Sequence, residues 1–134
     1  MHRRDFAKTA LVGAALAAAT PTASRPRRAT PHFTNVLFTA DDPGHWTAWV
    51  SLHVPETSVE AGKLRIRTPH PQSEEHYIVS HSVVLGTGMF LDRTGFSAND
   101  DPVSEHVLPS GYTGRLYVTS TCNRHDTWLK VISV

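Results

Sequence analysis

The chain has 134 residues, a formal net charge of +1 and one cysteine. That length makes a single domain able to bury a core without disulfides, and one cysteine excludes an internal bridge. The charge is unevenly spread: residues 1–29 carry a net +5 and the remainder a net −4, so the larger part lacks the basic stripe of a nucleic-acid surface.

The N-terminus opens with Arg3-Arg4-Asp5-Phe6-Ala7-Lys8, a twin-arginine pattern, followed by an alanine-rich run over 9–19. A basic start, a weakly apolar run and small residues form a signal peptide. The run is roughly half the ~20 residues of a membrane span. We expect residues 1–29 to be a cleaved leader, cut after Ala19, Ala23 or Ala29. It would address a folded protein to the periplasm or beyond and leave no stable membrane insertion. Residues 20–34, rich in Pro, Thr, Ser and Arg, read as a cleavage region and tail.

Strand patterns follow. Alternating or β-branched segments predict strands over 36–39, 46–54, 63–68, 77–85, 88–93, 103–108, 114–120 and 127–134. Between them stand turn signals such as Asp42-Pro43-Gly44, Glu60-Ala61-Gly62 and Pro109-Ser110-Gly111. About seven short strands at this spacing predict an all-β, immunoglobulin-like antiparallel β-sandwich over 30–134.

The chemistry-bearing residues fall at the ends of these segments. His53 precedes Val54-Pro55, His70 stands between Pro69 and Pro71, and His76 follows six residues later. Cys122 and His125 share the short connection between the last two strands. One thiolate with four imidazoles makes a shell for a single transition metal, and suits iron, copper or zinc rather than magnesium or calcium. A lone cysteine in an exported protein is a free thiol, an intermolecular bridge or a metal ligand.

These motifs resemble the superoxide reductase family, the neelaredoxin and desulfoferrodoxin iron proteins. The matching pieces are His-Val-Pro at 53–55, Pro-His-Pro at 69–71, Glu-His-Tyr-Ile at 75–78, and Cys-Asn-x-His with a tryptophan shortly after, at 122–128. They occur in the family's order and span most of the chain beyond the leader. The resemblance implies one non-haem iron, Fe2+ or Fe3+, with His53, His70, His76 and His125 equatorial and Cys122 axial. It implies reduction of superoxide to hydrogen peroxide at the open sixth position. It further implies an electron donor, which the sequence does not identify, and assembly into dimers or tetramers.

The chain departs from the family at Ser51 and Leu52, where many members carry Glu-Lys, and at Asp126, where a glycine is usual. Lys63, Arg93 and Arg124 are the candidate replacements for the missing cation, and Glu56 for the missing carboxylate. Backbone amides near Asn123 and Arg124 are candidates to bond the sulfur, and Glu75 to orient an imidazole. His32, His45, His81 and His106 read as surface or core residues, and Trp46, Trp49 and Trp128 as packing, with Trp128 a possible shield for the sulfur loop. Two other functions stay open: a non-catalytic iron-binding or sensing module, and a blue-copper electron carrier. The second lacks an axial methionine soon after His125.

Overall fold

The computed structural model describes residues 36–134. The leader and tail expected at the N-terminus lie outside the described residues.

Eight strands form two sheets. β1 (Leu37–Phe38), β4 (Ile78–Leu85), β5 (Phe90–Gly95), β7 (Arg115–Cys122) and β8 (Thr127–Ser133) make a sheet of order β1-β8-β7-β4-β5. β2 (Glu56–Glu60), β3 (Lys63–Arg67) and β6 (Val103–Val107) make the other, in order β2-β3-β6. Every pairing is antiparallel except β1 with β8, where Phe38 lies beside Trp128. The all-β sandwich expected from the sequence is present.

Two segments differ from expectation. Residues 46–54 do not form a strand. They form 3₁₀ turns over Gly44–Trp49 that continue into α1 (Val50–His53). Trp and Val favour strands in general, but Trp46, Trp49 and His53 recur three and four residues apart, which is helical spacing. His53 therefore comes from a helix end. The strand Glu56–Glu60 was not anticipated, because it is an exposed edge strand without apolar alternation. It pairs with β3 through a two-residue turn in which Ala61 and Gly62 both have positive φ, 48° and 74°, the hairpin geometry that matches sheet twist.

Inward side chains change character along the strands. On β7 they run Leu116, Val118, Ser120, Cys122, all buried. On β3 they are Leu64 and Ile66, and Thr68 follows directly. One end is thus an apolar core of Leu64, Ile66, Val83, Leu85, Leu108, Leu116 and Val118. The middle is a buried polar layer. Thr68 Oγ1 lies 2.7 Å from Ser120 Oγ and 2.8 Å from His81 Nε2. Ser104 Oγ joins His81 Nδ1, at 2.8 Å, to His106 Nε2, at 2.9 Å. His106 Nδ1 meets the Asp92 carboxylate at 2.8 Å. The far end gathers Cys122 and the remaining buried histidines.

Candidate metal centre

Four segments converge at that end. α1 delivers His53, and its Nδ1 donates to the Trp49 carbonyl at 2.9 Å. The Pro69-His70-Pro71 segment follows β3, and prolines on both sides hold it extended. His70 Nδ1 lies 3.2 Å from Gln72 Oε1, which also accepts from the Ile78 amide at 2.9 Å. Since Gln72 Nε2 donates to the Asp100 carbonyl, the amide orientation is fixed, and its oxygen faces His70. His76 sits in a small bridge with Ser73 just before β4. A register shift between Ile78 and Ser80 sets Ile78 opposite Cys122; bulges of this kind re-aim side chains beside functional sites.

The β7–β8 connection supplies Cys122 and His125. It is lashed to the His76 segment by two residues. Asn123 Oδ1 accepts from the Tyr77 amide at 3.0 Å, and Asn123 Nδ2 donates to the Glu75 carbonyl at 3.1 Å. Arg124 Nε donates to that same carbonyl at 2.9 Å. The Cys122 amide bonds the Asp126 carbonyl at 2.9 Å, closing the turn. Asp126 stands at φ 62°, in the left-handed region that glycine enters freely and Asp tolerates. Its carboxylate accepts from Trp46 Nε1 at 2.9 Å.

One nitrogen from each imidazole and the Cys122 sulfur lie within 4.8 Å of one another. Round the ring, His70 Nε2 to His76 Nε2 is 3.0 Å, His76 Nε2 to His125 Nδ1 is 2.9 Å, and His125 Nδ1 to His53 Nε2 is 3.0 Å. The His53 and His70 rings close the circuit edge to face at 4.7 Å. Edges of about 3 Å are those of a square whose corners lie about 2.1 Å from its centre, a metal–nitrogen bond length. The sulfur is 3.9 Å from His70 Nε2 and 3.8 Å from His125 Nδ1. Near-equal distances to opposite corners put it midway between His70 and His125, on one face. It stands back from the ring, and a bond of about 2.3 Å requires it to close inward.

The donor chemistry fits a cation. The outer nitrogens of His53 and His70 are spent as donors to Trp49 and Gln72, so their inner nitrogens carry lone pairs. These lone pairs face a shared centre with no hydroxyl or carboxylate between them. Burial also disfavours the charged form of all four imidazoles. Burial lowers the His53 pKa from 6.5 to about 4, with the three neighbouring imidazoles adding to the effect against the Trp49 hydrogen bond. Burial is likewise the first cause lowering His70, His76 and His125. After burial, His76 depresses His70, Arg124 depresses His76, and both act on His125. Neutral imidazole is the form that binds metal.

The structure thus brings together all five side chains singled out from the sequence. It also reassigns their supports. The sulfur accepts from the Arg124 amide at 3.4 Å, whereas the Asn123 amide bonds Tyr77 instead. Gln72, not Glu75, orients an imidazole; the Glu75 carboxylate is exposed and lies 3.8 Å from Arg124. Glu56 is paired with Arg67 at 2.9 Å. Arg93 bonds Ser82 and lies over Phe90. Among the cations considered, Arg124 is the one whose field reaches the imidazoles.

Aromatic rings surround the centre. Trp128 is fully buried, stacks on His53 at 5.6 Å, and donates to the His125 carbonyl. Trp46 meets His125 edge-on at 4.6 Å, and Trp49 stacks on it at 4.4 Å. Gln72, Trp46 and Trp49 touch the site without having been expected there. The helical spacing of the two tryptophans with His53 was the available signal.

No family model matches this chain, and no curated protein does. Solved structures do match. Superoxide reductase (neelaredoxin) from Ignicoccus hospitalis is 24% identical, over 76% of this chain and 96% of that one, with a TM-score of 0.64. The one-iron superoxide reductase from Giardia intestinalis is 23% identical, over 63% and 99%, with a TM-score of 0.56. The superoxide reductase from Treponema pallidum is 20% identical, over 63% and 69%, at 0.53. Together, fold and site define a β-sandwich with a four-histidine, one-cysteine cluster that could hold a metal. The sandwich itself is the superoxide reductase fold.

Proposed function

We propose that this protein is a one-iron superoxide reductase. Superoxide, one electron and two protons give hydrogen peroxide: O2•− + e− + 2 H+ → H2O2. The observation that carries the reading is the ring of four imidazoles, with three successive nitrogen pairs about 3 Å apart and a thiol midway between two opposite corners. A likeness to reductase structures supports it.

Bound iron would supply one-electron exchange between Fe2+ and Fe3+. Everything else falls to this chain's residues. Burial favours the neutral, metal-binding form of His53, His70, His76 and His125. Cys122 binds as thiolate, and the Arg124 amide tempers its basicity through the sulfur hydrogen bond. Burial of Cys122 (4% exposed) keeps that sulfur from oxidants on its own face. Arg124 adds positive charge near the anionic substrate, partly offset by Glu75.

The proposal includes the leader. Residues 1–29 export a domain of residues 30–134 by the twin-arginine route, so that reduction occurs in the periplasm or outside the cell. The donor is then an exported one-electron carrier, and the working unit a dimer or tetramer. A second reading is a non-catalytic iron site on this fold, favoured by Ser51 and Leu52 in place of the Glu-Lys pair.

Metal analysis and visible spectroscopy of the purified exported protein test these readings, followed by pulse radiolysis. One iron per chain, a broad red-region band that bleaches on reduction, and fast superoxide decay are expected. Iron with the band but without fast decay selects the non-catalytic reading. Zinc, or no metal, removes both.

A further inference from the structure

The one face of the nitrogen ring not taken by sulfur has a ring of its own nearby. The Trp49 centroid is 6.0 Å from His53 and 6.3 Å from His76, which stand on opposite corners. It is therefore displaced neither toward one nor the other. It lies 4.4 Å from His125, with planes 22° apart. A stacked ring with no sideways displacement must lie above or below the nitrogen plane, over His125 and roughly parallel to that plane. The sulfur fills one side, close against His125 Nδ1 at 3.8 Å, and leaves no room there for a stacked indole. Trp49 thus stands on the other side. Exposure agrees: Cys122 is 4% exposed and Trp49 37%.

From this we infer that Trp49 is a specificity-determining roof over the open coordination position, limiting exogenous ligands to two or three atoms. The inference rests on the metal reading above and adds a residue to it. The roof is held rather than loose. The Trp49 carbonyl is the acceptor for His53 Nδ1, so the backbone that carries the indole is tied to a ligand. Trp46 packs against the edge of His125 and is itself anchored to Asp126 at 2.9 Å. A flat apolar ring at stacking distance tolerates a small ligand beneath its rim and excludes a planar five-membered one. It carries no positive charge, so what it gives is size selection and not attraction of the anion. In this chain the position beside the open face would thus be governed by shape, where Leu52 offers no cation.

The test uses the full iron-loaded, oxidised protein, with azide, cyanide and imidazole as probes and the visible band as readout. Wild type should take azide and cyanide, and imidazole at least tenfold more weakly than the Trp49→Ala variant does. Azide affinity should differ less than threefold between them. Trp49→Phe, which keeps a stacked but smaller ring, should fall between. Quenching of indole emission on metal addition gives an independent readout of metal uptake, since Trp46, Trp49 and Trp128 all pack on the imidazoles. Equal imidazole affinity in wild type and Trp49→Ala, with iron and colour intact, overturns the roof alone. A wild type that takes up no metal and shows no quenching overturns the metal reading beneath it.

Discussion

Two histidine clusters share this sandwich, and they are opposites. In the middle layer every ring nitrogen of His81 and His106 has a hydroxyl or carboxylate partner at 2.8–2.9 Å. At the end of the sandwich, the inner nitrogens of His53, His70, His76 and His125 face one another at 2.9–3.0 Å. The first cluster is a closed set of hydrogen bonds, in which donor and acceptor needs are met by Thr68, Ser104 and Asp92. The second has lone pairs left over and a sulfur beside them. Burial of a histidine is therefore no guide to its role. What decides it is whether both ring nitrogens are already satisfied.

The largest effects should separate the two clusters. Cys122→Ser should abolish the red-region band of the oxidised iron-loaded protein while leaving the fold and the middle layer in place. Persistence of the band would mean that sulfur is not the axial donor. His81→Leu should do the reverse. It leaves the Thr68 and Ser104 hydroxyls a partner short, at a cost of about 1–3 kcal/mol, with iron stoichiometry unchanged. Urea unfolding and metal analysis on the same samples read both. An iron content that fell in step with stability would join the clusters into one unit.

Acid offers a graded version of the same contrast. Burial, and then His106, lower the His81 pKa from 6.5 to about 4. Between those values the unfolded chain binds the proton and the folded chain does not. Stability is therefore full above about pH 6.5 and falls as pH drops toward 4, by about 3 kcal/mol for this one group. His53 contributes in the same direction over the same window when no metal is bound. Metal-free wild type and metal-free His81→Gln should thus differ in slope between pH 6.5 and 4, the variant being flatter. Parallel slopes would mean that His81 takes up its proton without unfolding.

Much of the site was legible because its pieces are local and chemically distinctive. Pro-His-Pro, Cys-Asn-x-His and a single cysteine declare themselves in sequence. The strand over 63–68 was readable from alternation, which burial confirms as inward Leu64 and Ile66; the strand over 103–108 was also expected, but there the apolar alternation points to the wrong face, since Ser104 and His106 are buried and Val107 is exposed. What escaped was set by tertiary contacts. The segment carrying Trp46 and Trp49 has strand-like composition, yet its helical turns are fixed by packing against His125. Gln72 matters only because Asp100 and Ile78 aim its amide. His81 and His106 looked like isolated residues, since the strands that join them are neighbours only in space.

A smaller effect is expected from a second cation beside the proposed open site. Leu52→Lys places an ammonium on α1 one residue before His53. Steering of an anion by one added charge should raise the second-order rate constant for superoxide by roughly tenfold at low ionic strength. The gain should shrink as salt approaches physiological levels, where exposed charges are screened beyond about 8 Å. Pulse radiolysis across a salt series measures both. A rate that did not move would mark Arg124 as already supplying the field.

Asp126→Gly should change stability least, because two terms oppose each other. Glycine removes the cost of a left-handed non-glycine residue, about 1 kcal/mol. It also removes the acceptor of the Trp46 indole N–H, worth about 1 kcal/mol in an exposed setting. Net stability should stay within about 1 kcal/mol of wild type, while Trp46 becomes more accessible to a collisional quencher. Asp126→Asn keeps an acceptor oxygen and tolerates the backbone conformation, so it should leave Trp46 as it was. If Asp126→Gly instead lost several kcal/mol, the Asp126–Trp46 contact would be a structural tie between the helical turns and the sulfur loop.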